Sequence, residues 1–227
     1  MELKRLTEHM WYMPFEEERD RPNLGYVKGD GWSLAIDAGH SAAHTKEFYT
    51  LLAKENLPLP SLTVLTHWHW DHSFGMHAVK GLTLANEKTN RHLAAWKERI
   101  EKNGPEEFFA LHESIRREYG TNTEVIVKTA DMVFSGEVTL ELGGCTVKVI
   151  HAEAPHTDDS TLIYVDHDKT LFLGDSAGDD FFTGIKRADL CRKLAGTIRE
   201  LKPEICVEGH WVPVDPEDTL SDLMCDI

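Results

Sequence analysis

The sequence has little of what a membrane-spanning, secreted or nucleic-acid-binding chain needs. Its longest apolar runs fall far short of the roughly 18 residues of a membrane span, and Met1-Glu2-Leu3-Lys4-Arg5 is followed by no signal-like apolar core. No membrane partner is expected, and a cytoplasmic protein is. Cysteine is scarce. Cys145, Cys191, Cys206 and Cys225 form no C-x-x-C pair, so reduced thiols are expected rather than a disulfide framework or metal ligands. Basic residues are in deficit, 24 Lys and Arg against 39 Asp and Glu, leaving a net charge of −15. A surface that acidic repels phosphate backbones at long range, so a small-molecule substrate is expected and no nucleic acid.

What is present is a globular composition. Hydrophobic residues make up 41% of the 227 and charged residues 28%, enough apolar surface for a buried core, so residues 1–227 are expected to form one domain. Short apolar or alternating runs at 6–13, 24–27 and 32–36 predict antiparallel strands. The charged stretch 14–23 between the first two reads as a solvated, mobile hairpin loop. Residues 41–56 carry Phe48, Leu51 and Leu52 at helical spacing behind Ser41 as a cap, and 62–66 then reads as a buried strand.

Residues 86–119 predict a pair of helices broken at Asn103-Gly104-Pro105, part of a helical insertion at about 86–122. The stripes Leu93, Trp96, Ile100 and Phe108, Leu111, Ile115 are read as core packing. Strands are expected again at 125–127, 138–142, 145–150, 161–165 and 170–173, then a helix at 188–201 and a strand at 205–207. Strands, helix, strand, repeated once, suggest two similar halves whose sheets pack together with helices outside, an α/β (α+β) arrangement.

The first half's last strand runs into His67-Trp68-His69-Trp70-Asp71-His72. Two imidazoles at a spacing of two on extended backbone project to one side and can reach one cation; Asp71 and His72 follow at a turn into a helix and can face a neighbouring position. With 13 His and 17 Asp in the chain, H-x-H-x-D-H would arise by chance in about three such chains in a thousand.

This run resembles the hallmark of the metallo-β-lactamase superfamily. Four further segments resemble its other motifs in order: Ile36-Asp37-Ala38-Gly39, Ala154-Pro155-His156-Thr157-Asp158-Asp159-Ser160, Leu171-Phe172-Leu173-Gly174-Asp175-Ser176 and Glu208-Gly209-His210. The resemblance implies a four-layer αββα sandwich. It also implies two divalent metal ions, with His67, His69 and His156 on the first, Asp71, His72 and His210 on the second, and Asp175 bridging them. Asp37 would support the metal-binding loop without ligating.

Five imidazoles and two carboxylates suit borderline ions, zinc first and iron or manganese as alternatives, better than magnesium or calcium. Two such ions and two carboxylates carry a formal +2, which lowers the pKa of bound water toward neutrality and polarises a carbonyl or phosphoryl oxygen. Asp71 has a second expected role, as catalytic proton acceptor. His40, His44, His77 and His151 are expected to be structural, and Trp68, Trp70 and Trp211 to pack around the ligands.

The implied reaction is hydrolysis of a small ester, thioester, lactone, amide or phosphodiester by metal-bound hydroxide. Asp175 stands where one major branch of antibiotic-destroying relatives has a metal-binding cysteine, and only residues 211–227 follow the last ligand, less than a glyoxalase II normally carries. Two alternatives from other classes stay open here: a mononuclear iron thiol or persulfide dioxygenase of the same fold, and a non-catalytic scaffold, against which the retention of all seven ligand positions argues.

Overall fold

The computed structural model describes residues 1–122 and 124–225 and gathers the strand-forming runs into two sheets. In the first, β1 (Lys4–Arg5), β2 (Met10–Met13), β3 (Leu24–Lys28) and β4 (Ser33–Ile36) pair antiparallel. Next to β4, β5 (Leu62–Val64), β6 (Leu82–Asn86) and β7 (Met132–Phe134) continue in parallel. Parallel neighbours require crossovers. The first contains α1 (Ala42–Lys54), capped by the Ser41 hydroxyl, which accepts from the Ala43 and His44 amides. The second contains α2 (Trp70–Ser73) and a 3-10 turn (Phe74–Ala78), and the third α3 (Glu87–Asn103), α4 (Glu106–Phe109) and α5 (Glu113–Tyr119).

The second sheet joins β8 (Glu137–Glu141), β9 (Thr146–His151), β10 (Thr161–Val165) and β11 (Thr170–Gly174) antiparallel, with β12 (Ile205–Glu208) parallel to β11 across the helix α6 (Ala188–Leu201). A last helix, α7 (Pro216–Met224), packs beside α6 and β12. Period-two alternation decides which residues meet between the sheets: Val147 and Val149 of β9 turn inward with Ile163 and Phe172 onto Val27, Leu34, Ile36 and Val64. Outside the first sheet, Phe48 and Leu52 of α1 cover Leu24, Tyr26 and Ala35. Outside the second, Leu194 and Ile198 of α6 cover Leu162, Leu171 and Leu173. Helix, sheet, sheet and helix make the expected αββα sandwich. Among the described residues no helix is long and apolar enough to cross a membrane.

Four local expectations change. Residues 125–127 form no strand; Val127 is buried instead against the helical cluster with Leu93 and Phe109, so its apolar alternation serves packing without pairing. The helical pair is three helices, because Gly104 ends α3 at φ 79° and the chain restarts twice. β6, β7 and α7 appear where no element was expected. The 14–23 loop is not simply solvated.

Within that loop Glu16 and Arg21 form a β-bridge, and Arg21 is one of the largest fully buried side chains. Its Nε and Nη2 donate to both oxygens of Glu118 in α5 at 2.7 and 2.9 Å, and its Nη1 to Glu47 of α1 at 2.8 Å. Burial alone would raise the Glu118 carboxyl, but the hydrogen bonds from Arg21 and Ser41 hold it below its ordinary value. The contribution of this pair is therefore fully present above the ordinary value of 4.5 and is lost as pH falls through the lowered folded value. Arg21→Met should cost about 3–5 kcal/mol in urea unfolding at pH 7, the cost of stranding a buried carboxylate. The loss should shrink below pH 4; a constant loss across that range would refute the coupling.

Candidate metal centre

The elements deliver their donors to one end of the sandwich, at the carboxyl ends of the parallel strands. β5 stops at Val64, and the Thr66 carbonyl accepts from the Thr161 amide at 2.7 Å, tying the first motif to β10 of the other sheet. His69 stands at the N-cap position of the short helix α2 with its carbonyl accepting from the His72 and Ser73 amides, and the Ser73 hydroxyl donates to the Trp68 and His69 carbonyls, fixing the turn that presents Asp71 and His72. Asp175 follows β11 directly after Gly174, whose φ of +53° and whose approach to Thr66 leave no room for a side chain. His210 follows β12. At Gly209 an added Cβ would stand 2.1 Å from the Asp175 Oδ1 atom, so only glycine lets the two strand ends close on each other.

The seven sequence-predicted donors converge in two groups. His67, His69, His156 and Asp175 form one; Asp71, His72, His210 and Asp175 form the other, and in each the candidate donor atoms lie within 4.8 Å of one another. In the first group His69 Nδ1 lies 2.9 Å from His67 Nε2 and 3.0 Å from His156 Nε2. In the second, Asp71 Oδ2 lies 3.1 Å from His72 Nε2 and 2.9 Å from His210 Nε2. One atom belongs to both: Asp175 Oδ2 is 3.8 Å from His67, 3.7 Å from His156, 3.3 Å from His72 and 3.7 Å from His210, each at Nε2. Donors 2.0–2.1 Å from a tetrahedral zinc stand about 3.3 Å apart, and these spacings bracket that edge.

The outer contacts decide which nitrogen faces inward. His156 Nδ1 is 2.9 Å from the Asp179 carbonyl oxygen, which can only accept, so Nδ1 carries the proton and Nε2 offers its lone pair to the group. His72 Nδ1 likewise meets Asp37 Oδ2 at 2.7 Å, leaving a buried Nε2 with no hydrogen-bond partner. Asp37, held at φ 65°, also accepts from the Thr66 amide and hydroxyl and is not itself in either donor group. The site thus matches a metal ion in donor chemistry, spacing and lone-pair direction.

The sequence profile of the Metallo-beta-lactamase superfamily matches residues 19–210. The chain belongs to that superfamily. Its fold is similar to a metallo-beta-lactamase from Pontibacter korlensis, 20% identical with 99% of each chain covered and a TM-score of 0.65. It is also similar to DIM-1 metallo-beta-lactamase, at 19% identity over 97% of this chain and 95% of that one, TM-score 0.69. A third likeness is the sec-alkylsulfatase Pisa1 from Pseudomonas sp., at 13% identity over 98% of this chain and 40% of that one, TM-score 0.72. No match is found among curated proteins.

The two halves of this superfamily site differ electrically. Burial, with His156 beside it, pushes the His69 imidazole down to about 3, and burial with His72 and His69 holds His67 well below its ordinary value, so both stay neutral. At His210 burial is outweighed by Asp175 and Asp71, which push the imidazole up to about 9, and Asp175, Asp71 and Asp37 raise His72 in the same way. One half presents ready lone pairs. The other, rich in carboxylates, collects positive charge in whatever form is present.

Three residues beside the site escaped the sequence reading. Asp20, at φ 53° in the 14–23 loop, places Oδ1 3.7 Å from His210 Nδ1; among six consecutive charged residues nothing distinguished it. Phe181 stands 4.1 Å from the His69 ring, centroid to centroid, and Phe182 stacks on Trp68. An apolar pair so soon after Gly174-Asp175 was the available signal. Trp68 and Trp70 pack in the core as expected, but Trp211 is 59% exposed and lines the cavity beside His210. His40, His77 and His151 each bond a backbone carbonyl, and His44 Nδ1 accepts from the His40 amide.

Asp37→Asn preserves size and tolerates the positive φ but weakens the hold on the His72 tautomer. Zinc affinity, measured by competition with a chelating indicator, should fall about 10–100-fold with an unchanged circular dichroism spectrum. Unaltered affinity would show that His72 needs no such partner.

Proposed function

We propose that the chain is a binuclear metal-dependent hydrolase, with zinc the ion its donors suit best, acting on a small ester, thioester, lactone, amide or related bond. The observation that carries this reading is the single oxygen, Asp175 Oδ2, standing 3.3–3.8 Å from four imidazole nitrogens contributed by two three-residue donor sets. His67, His69 and His156 would hold one ion, Asp71, His72 and His210 the other, and Asp175 both. When bound, such ions lower the pKa of water toward 7 and polarise the bond to be cleaved.

The protein's own groups set the rest. Burial opposes ionisation of Asp71, but His72 and His210 hold its carboxyl well below the ordinary range, so it stands as a carboxylate able to take a proton from the attacking water. Trp68 and Trp70, buried beneath His69, keep bulk solvent from that side. The relatives named above carry the names of two different hydrolytic activities, a β-lactamase and an alkylsulfatase, so the shared fold does not choose the bond. A mononuclear iron dioxygenase would leave the second donor set without a role.

Purified protein should contain about two zinc or similar ions per chain by elemental analysis and should hydrolyse at least one generic ester, thioester, lactone or phosphodiester. Asp71→Ala and His156→Ala should each abolish that activity with the fold intact. A folded protein that takes up no metal would overturn the reading. One iron per chain with oxygen uptake on a persulfide would replace it with the dioxygenase.

A further inference from the structure

Beside Asp175, His156 and His210 opens a cavity of about 630 Å³ whose larger remaining side chains, set among glycines and an alanine, are of two kinds. One is aromatic, made by Phe181 and Trp211. The other is acidic, made by Asp179, Glu208 and Asp222. Among the described residues lining it there is no lysine or arginine. Lys186 lies close by, but its Nζ is engaged by the Asp222 and Cys225 carbonyls at 2.7 and 2.8 Å, at the carboxyl end of α7.

The aromatic wall is built and held. Asp180 Oδ1 accepts from the Phe182 and Thr183 amides and from the Thr183 hydroxyl, and the Gly184 amide donates to the Asp180 carbonyl, so a tight turn presents Phe181 and Phe182. Apolar exposure concentrates there: Phe182 is 76% exposed, and Ile185, Trp211 and Val212 are also among the exposed large hydrophobic residues. Trp211 is braced from the other side by Phe15, stacked at 6.4 Å. Of these exposed residues, Trp211 lines the cavity together with Phe181, and apolar side chains at a cavity wall offer surface to an apolar ligand.

We propose that this cavity selects uncharged substrates with an apolar acyl or alkyl body, such as neutral aliphatic esters and lactones, and turns away those with a second, anionic group remote from the cleaved bond. The proposal rests on the hydrolase reading and narrows it. Ions held by the donor groups would bring positive charge to one end of the cavity and polarise the reacting carbonyl there. Apart from Lys186, whose Nζ donates to the Asp222 and Cys225 carbonyls, the far wall meets a remote carboxylate, sulfate or phosphate with like charge and aromatic surface, and rejection by unpaired like charge is an efficient way to discriminate.

The test compares p-nitrophenyl hexanoate with mono-p-nitrophenyl adipate, which has the same carbon count and a carboxylate in place of the terminal methyl. Metal-loaded wild type should favour the hexanoate in kcat/KM by at least about tenfold, corrected for spontaneous hydrolysis. Asp222→Lys, an exposed substitution outside the donor groups, should narrow that ratio by speeding the adipate, while Lys186→Ala should leave it unchanged. Equal or faster turnover of the adipate, or its loss in Lys186→Ala, would overturn the proposal. If metal-loaded protein cleaves neither ester, the hydrolase reading fails, and selection is then read from tryptophan quenching by the matching p-nitroanilides. Tighter binding of the hexanoyl anilide supports the charge selection; equal or tighter binding of the adipoyl anilide refutes it.

Discussion

Negative charge buried at high density is the constraint on which this structure turns. Asp37 and Asp71 are almost wholly removed from water and Asp175 largely so, and all three stand against the one imidazole of His72. A lone buried carboxylate would simply take up a proton; carboxylates packed this closely need cationic or strongly donating partners fixed in place. The partners come from distant parts of the chain, so both sheets must bring strand ends to one edge. Asp37 shows how the requirement is met: its two oxygens are used by the Thr66 amide, the Thr66 hydroxyl and His72, and its left-handed backbone is the local cost.

The chemistry and the recognition surface then separate in space. Imidazoles and shared carboxylates occupy the floor, backed by Trp68 and Trp70 in the core, whereas the walls come from the loop after β11 and the segment after β12. Such a division lets a superfamily keep its floor while changing what its walls accept. Here the walls are aromatic and acidic, in keeping with a chain of net charge −15.

Much of the floor was legible because the donors of H-x-H-x-D-H are contiguous, so their type and spacing carry their geometry. His156, Asp175 and His210 were legible only through their resemblance to ordered motifs, since nothing local says that three loop positions will meet. The αββα layering followed from alternation in β9 and helical spacing in α1. β7 was missed because Met132 and Val133 are exposed at a sheet edge and give no alternation, and residues 125–127 were misread because an apolar run can pack against helices without pairing. Helix α7 did have a signature in Asp215-Pro216, a capping carboxylate before a first-turn proline. Arg21, Asp20 and Trp211 gave no such notice: whether a charged or aromatic side chain is buried, aimed at an imidazole or left in a cavity mouth depends on partners far away in the sequence.

The Asn23 side chain has a consequence of that kind. Its Nδ2 donates to the carbonyls of Glu208 and Trp211, across 185 and 188 positions of sequence, and its amide donates to the Gly209 carbonyl. These contacts clamp the turn that carries His210 to a loop laid down near the start of translation. Contacts so distant in sequence form late, after nearer pairings have reduced the entropy of closing the chain. A ribosome-bound chain would therefore hold all three histidines of the H-x-H-x-D-H run long before either donor group is complete. Neither donor group can close until the segments carrying His156, Asp175 and His210 have been made, so the connectivity puts completion of the cluster late in the life of the growing chain.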